Sequence, residues 1–212
     1  MDRLLLLGMS ILISLLSEAF AQTDLTGKVF VFPRESQSDH VKLIPHLDKP
    51  LENFTLLFSY NTLGRDNELL IYKNRVGEYQ LYIGQLEVTV QGVEDFASPV
   101  HFCTSWESSS GIAEFWVNGK PWVKKGLQMG YTVKGQPSIV IGQEQDSYGG
   151  SFDQSQSFMG EIGDLNMWDS VLTPEKIKSA YQGSTIDPNI LNWQNLTYEM
   201  NDYVVIRPCT WH

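Results

Sequence analysis

The sequence predicts an all-β sandwich with one short helix, on three observations. Six short runs are rich in β-branched and aromatic residues, Gly, Pro, Asn or Asp punctuates the chain between them, and one segment carries the start and stop signals of a helix. The runs are Lys28–Phe32, Glu68–Tyr72, Glu78–Ile83, Glu87–Val90, Ser138–Ile141 and Tyr203–Ile206. Gly111 to Val117 and Lys120 to Lys125 flank Asn118-Gly119, a pair that tolerates the positive φ angles of a tight hairpin turn. Pro121 then belongs at a sheet edge or strand start, because it has no N–H to give to a ladder. The helix runs from a capping Thr173 through Pro174 at its first position and Glu175 in its first turn, and stops at Gly183.

Composition fits a globular protein. Of 212 residues, 42% are hydrophobic, 12% aromatic and 19% charged, which excludes disorder, collagen and coiled coil. One domain of this size buries about 70% of its unfolded surface and needs no disulfide scaffold, in keeping with only two Cys. A net charge of -10 excludes a grip on nucleic-acid phosphates through net charge alone. No repeat or linker divides the chain, so 22–212 reads as a single domain.

Residues 1–21 read as a secretory signal. An apolar run from Leu4 to Leu16 precedes Ala19-Phe20-Ala21, whose small-residue ending suits cleavage after Ala21. The run is shorter than the ~20 residues a bilayer span needs, and no other stretch approaches that length. A secreted, extracellular protein with no membrane span is expected, its mature chain starting at Gln22. In that setting Asn53-Phe54-Thr55 and Asn195-Leu196-Thr197 are glycosylation sequons.

Common enzyme signatures are missing. His40, His46, His101 and His212 have no partner at zinc-ligand spacing, and no nucleophile elbow, P-loop or dinucleotide fingerprint occurs. Oxygen donors concentrate in two places instead: Arg65-Asp66-Asn67-Glu68, and Gly142 to Gly150 followed by Asp153 and Gln156. Calcium takes six to eight oxygens from carboxylates, amides and main-chain carbonyls, whereas solvated acidic turns have the same composition. Both readings stand at this level. A sandwich glycosidase competes, since Glu144-x-Asp146 begins the Glu-x-Asp-x-x-Glu pattern of some lectin-like hydrolases, but Gly149 and Gly150 follow where a second Glu is needed. The six Trp lie in apolar runs and read as buried aromatics rather than sugar platforms.

His101-Phe-Cys103-Thr-Ser105-Trp106-Glu-Ser108 resembles the pentraxin signature His-x-Cys-x-Ser/Thr-Trp-x-Ser. Blocks at Lys28–Ser36, Gly64–Leu70, Gly142–Gly150 and Leu191–Gln194 extend the resemblance from Thr23 to the carboxyl terminus. It implies a lectin-like jelly roll of two antiparallel sheets, without catalysis, assembled as a cyclic homopentamer with calcium sites on one face and short helices on the other. By the family's pattern a double-calcium site, two ions per subunit, falls on Asp66, Asn67, Glu144, the main-chain carbonyl of Gln145, Asp146 and Gln156. Leu70, Tyr72 and Tyr82 match the apolar wall beside the metals, and Asn53 matches the glycan position; Asn195 is a second candidate. The ligands implied are phosphoethanolamine-type monoesters, anionic glycans, amyloid fibrils, and DNA or chromatin held through calcium. The rivals are a lectin-fold glycoside hydrolase and a structural jelly roll without a ligand.

One departure from the pattern stands out. Family members have a Cys soon after the Asn-Phe-Thr-Leu block, paired with the Cys of the signature. Here Asn53–Leu56 runs straight into Leu57-Phe-Ser-Tyr-Asn61, without that Cys and without a short strand-and-loop segment. Cys103 is therefore expected as an unpaired, buried thiol, and Cys209, which has no family counterpart, as an exposed one open to intermolecular bridging. A lost strand would leave unpaired backbone groups and two new edges.

Overall fold

The computed structural model describes residues 22–62, 72–73, 78–83, 86–91, 99–133, 137–145, 149–184 and 186–211. The signal segment and most of the predicted strand at 68–72 lie outside the described residues. Among those described are thirteen strands, one α-helix and two 3-10 turns. In chain order the strands are β1 (Lys28–Phe32), β2 (His40–Leu43), β3 (Asn53–Thr62), β4 (Tyr72–Lys73), β5 (Glu78–Ile83), β6 (Leu86–Gln91) and β7 (Val100–Glu107). They continue with β8 (Ile112–Val117), β9 (Lys120–Gly126), β10 (Ile139–Ile141), β11 (Gly160–Trp168), β12 (Tyr198–Asn201) and β13 (Val205–Pro208). The helix, α1, is Pro174–Tyr181, and the 3-10 turns are Gln154–Gln156 and Trp193–Asn195.

One layer of the sandwich is a seven-stranded antiparallel sheet in the order β13-β1-β11-β3-β7-β8-β9. The other is made by two three-stranded antiparallel sheets, β10-β2-β12 and β4-β5-β6. Phe30, Phe58, Phe102 and Phe115 of the large sheet meet Val41, Leu43, Ile139 and Ile141 of one small sheet and Leu81, Ile83, Val88 and Val90 of the other in a single core cluster. Burial of this apolar surface is the main favourable term in the fold.

A second, smaller cluster lies on the outer face of the large sheet. Leu57 of β3, Cys103 of β7, Trp116 of β8 and Trp168 of β11 pack there with Leu172 and with Ile177 of α1. Along β7 the period of two sends Phe102 and Trp106 into the sandwich and Cys103 toward α1. The helix forms where the sequence predicts it: Thr173 Oγ1 accepts from Lys176 N at 3.4 Å, and Gly183 takes a φ of +81° just past the end. The β8–β9 hairpin turns at Asn118 and Gly119, with φ angles of 50° and 69°, and Pro121 sits on the edge strand as expected.

Sequence expectations are corrected at the last strand, at β3 and at Cys209. The last strand is Val205–Pro208 rather than 203–206, because Asp202 turns the chain at a φ of 56° and Tyr203 N donates to Asp39 Oδ1 instead of joining a ladder. The shortened segment does not open an edge at β3, which is one continuous strand paired with β11 on one side and β7 on the other. In the opposite layer, no ladder among the described residues joins the two small sheets. Cys103 is fully buried and outside any disulfide, and Cys209 is half-buried where the sequence reading has it exposed.

Candidate functional site

The site grows out of the end of β10. Gly142 follows with a φ of +96°, and a Cβ there would lie 2.2 Å from Phe32 Cε1, so only glycine lets the chain pass over that ring. Gln143 then makes an antiparallel bridge with Ser157, and Phe158 N donates to Gly142 O at 2.9 Å. These contacts hold 142–145 beside the 3-10 turn Gln154–Gln156, which Asp153 caps by accepting from Ser155 N at 2.8 Å and Ser155 Oγ at 2.9 Å. The same two bonds, backbone first, hold the Asp153 carboxyl below the usual carboxylate range.

This arrangement brings two of the sequence-derived candidates together: Gln156 Nε2 donates to Glu144 Oε2 at 2.5 Å. Gln145 clamps the base of the following loop, its Nε2 donating to Ser138 O at 3.1 Å and its Oε1 accepting from Gly149 N at 2.9 Å. Its side chain is thus committed, and its candidate ligand is the main-chain carbonyl. Asp66, Asn67, Leu70 and Asp146 lie outside the described residues. Tyr72 pairs with Gln80 and Tyr82 with Glu87 in the β4-β5-β6 sheet. Among the described residues no three or more His, Cys, Asp or Glu converge, so the described part of the site is a carboxylate–amide pair. Carboxylate, amide and carbonyl oxygens form a hard donor set, suited to calcium rather than to zinc or copper. A half-turn of the Gln156 amide would present Oε1 in place of Nε2, giving two oxygens facing one point.

Behind the pair lies a polar network around a buried carboxylate that the sequence does not reveal. Asp39, 1% exposed, accepts from Arg34 Nε at 2.8 Å, Arg34 Nη2 at 3.0 Å, Ser36 Oγ at 3.0 Å and Tyr203 N at 3.3 Å. The Arg34 hydrogen bonds above all, and those of Ser36 and Tyr203, hold its carboxyl below the usual range despite burial. A carboxyl depressed on folding contributes stability that is complete above its unfolded value, about pH 3.9, and is lost as pH falls through the lower folded value. Acid titration of stability below about pH 4 should therefore be shallower in Asp39→Asn than in the natural chain; parallel acid-unfolding curves would contradict this.

On the far side of the large sheet, burial and, less strongly, Glu114 push the Cys103 thiol well above its usual range, so it stays protonated and unreactive. A cavity of about 670 Å³ opens on that side beside α1, with His101, Asp164, Trp168 and Tyr181 in its wall, and none of the calcium candidates lines it. Asn53 begins β3 half-exposed, and Asn195 is exposed at the end of its turn.

Known proteins align with these features. Residues 28–208 match the Pentaxin family. The serum amyloid P-component of Mesocricetus auratus is 72% identical over 222 aligned positions, covering 98% of this chain and 95% of the relative. The protein of that name from Homo sapiens is 66% identical over 219, covering 97% and 98%. An aligned length of 222 exceeds the 212 residues here, so that relative carries residues this chain lacks, in agreement with the missing segment. Among solved structures, a heptameric SAP-like pentraxin from Limulus polyphemus superposes with a TM-score of 0.75 at 20% identity, over 89% of this chain and 98% of that one, which shows the shared fold. The chain belongs to the pentraxin family.

Proposed function

We propose that the protein is a secreted, calcium-dependent recognition protein without catalysis, holding two calcium ions per subunit and binding phosphate monoesters and anionic glycans. The observation that carries the reading is the pairing of Glu144 with Gln156, two oxygen-bearing side chains from separate segments at 2.5 Å. A second observation supports it. Thr62, the last residue of β3, pairs with Gly160, four residues after Gln156, so the chain leaves β3 close to the Gln154–Gln156 turn. Asp66 and Asn67 follow within five residues, a span of up to about 17 Å of extended chain, ample to reach that turn.

The set that would hold the ions is Asp66, Asn67, Glu144, the Gln145 carbonyl, Asp146 and Gln156. These offer few oxygens for two ions that each want six or more, so calcium supplies coordination positions that anionic oxygens of a ligand can take. Leu70, Tyr72 and Tyr82 would carry the ligand's carbon skeleton. Phosphoethanolamine-type monoesters fit this chemistry, and repeated anionic oxygens extend it to amyloid fibrils and to DNA or chromatin, which an acidic chain can bind through metal rather than through Lys and Arg.

Assembly as a homopentamer would convert weak single contacts into avidity for repetitive surfaces, and the heptameric state of the Limulus relative supports a multi-copy assembly. The serum in the name of the mammalian relatives supports secretion, and no helix among the described residues is long and apolar enough to cross a membrane. Glycosylation at Asn53, and at Asn195 as a second site, belongs to the same reading. Calorimetric titration should show two calcium ions per chain with dissociation constants of roughly 0.1 to 1 mM. The absence of binding heat, or equal binding of magnesium, would sink the reading.

A further inference from the structure

We propose that Gln143 and Ser157 are positioning residues for calcium, tied through Ser36 to the buried Asp39 carboxylate, which the solvent-exposed Arg34 braces, and that this tie sets the spacing of Glu144 and Gln156. The inference rests on the reading of those two residues as calcium ligands.

Each candidate ligand sits one residue from a member of the Gln143–Ser157 bridge. Both members reach the same residue: Gln143 Nε2 donates to Ser36 O at 2.7 Å, and Ser36 N donates to Ser157 Oγ at 3.1 Å. Ser36 thereby ties together the two segments that carry Glu144 and Gln156. The tie is itself fixed. Ser36 Oγ donates to Asp39 Oδ1 at 3.0 Å and accepts from Asp39 N at 3.1 Å, while the Arg34 guanidinium holds the carboxylate with two hydrogen bonds. Gln143 Nε2 also donates to Asp39 O at 3.2 Å, and Ser157 Oγ donates to Gln154 O at 2.8 Å inside the turn that ends at Gln156.

Burial makes the network stiff. Gln143, Ser157 and Asp39 are 2%, 1% and 1% exposed, so water does not compete for their hydrogen bonds and breaking one strands a buried polar group. Stability alone does not call for an amide at 143. Its Oε1 is buried without a hydrogen-bond partner, a cost that an apolar side chain of similar size would avoid. What the amide supplies is direction, because its two N–H bonds fix Gln143 against Ser36 and Asp39 and so fix where Glu144 starts. Groups that orient metal ligands typically change affinity by about 10–100-fold when removed.

The test uses the full secreted chain and calcium alone, with affinity read by calorimetry and unfolding temperature read in excess chelator. Gln143→Leu should weaken calcium about 10–100-fold and Ser157→Ala about tenfold. Ser157→Thr, which keeps the hydroxyl, should restore affinity to within about twofold, a rescue that loss of stability would not produce. Should Gln143→Leu fail to fold, the Ser157 pair decides. Natural affinity in Ser157→Ala, or equal loss in Ala and Thr variants, would overturn the brace while leaving the calcium reading intact; a natural chain that binds no calcium would overturn both.

Discussion

Leu57→Cys is expected to close a disulfide with Cys103, and the oxidised variant should be about 4 kcal/mol more stable than its own reduced form. Leu57 and Cys103 are directly opposed in the β3–β7 ladder, and both face the cluster beneath α1. Directly opposed residues of antiparallel strands have Cα atoms about 4.5–5.5 Å apart, inside the window a disulfide spans. The loop closed between positions 57 and 103 is long, which gives the entropic term its size. The reduced variant should be weaker than the natural chain, because a Leu side chain leaves contact with Trp116, Trp168 and Ile177. Bond formation must precede or accompany folding, since the folded site buries Cys103 and disfavours its thiolate. Denaturant unfolding with and without reductant, together with thiol labelling of the denatured chain, reads both outcomes. Three reactive thiols in the oxidised preparation would show that Leu57 does not stand where the family's first Cys would be.

The second large effect is expected from Asp146→Asn combined with Gln156→Ala, which should reduce chelator-sensitive ligand binding to background. Gln156 supplies the amide against Glu144, and Asp146 follows Gln145 by one residue as a further carboxylate. Removing both strips a charge and an oxygen from a site with few donors to spare. The variant should also lose stabilisation by calcium, because fewer like charges remain to be neutralised when the metal binds. The β-sheet circular dichroism spectrum should not change, since the core clusters are untouched. Binding that persists in the variant with EDTA present would contradict the metal mechanism.

What the sequence discloses divides along physical lines. The β8–β9 hairpin and α1 announce themselves because Asn118-Gly119 and the Thr173-Pro174 cap are local signals. β3 and β7 do not, although they lie near the centre of the large sheet. Both faces of β7 are covered, by the sandwich core on one side and α1 on the other, so five consecutive residues from Phe102 to Trp106 are buried and no polar alternation marks the strand. β11 is masked differently: its pairing with β3 is interrupted between Gly163 and Asn166, and Asp164 there takes a φ of 50°, so glycine and aspartate read as a turn within a strand.

At the site, the local concentration of oxygen donors marks Gly142–Gly150, Asp153 and Gln156, and the resemblance picks Glu144 and Gln156 from among them. The brace is less legible still. Ser36 and Ser157 meet across 121 residues of chain, and a side-chain bond of that range leaves no local pattern.

The most direct test of calcium-dependent recognition is retention of the purified chain on immobilised phosphoethanolamine. The expected result is retention in millimolar calcium, release by EDTA, and no retention when magnesium replaces calcium. Retention that survives EDTA, or passage through the column in calcium, would contradict it.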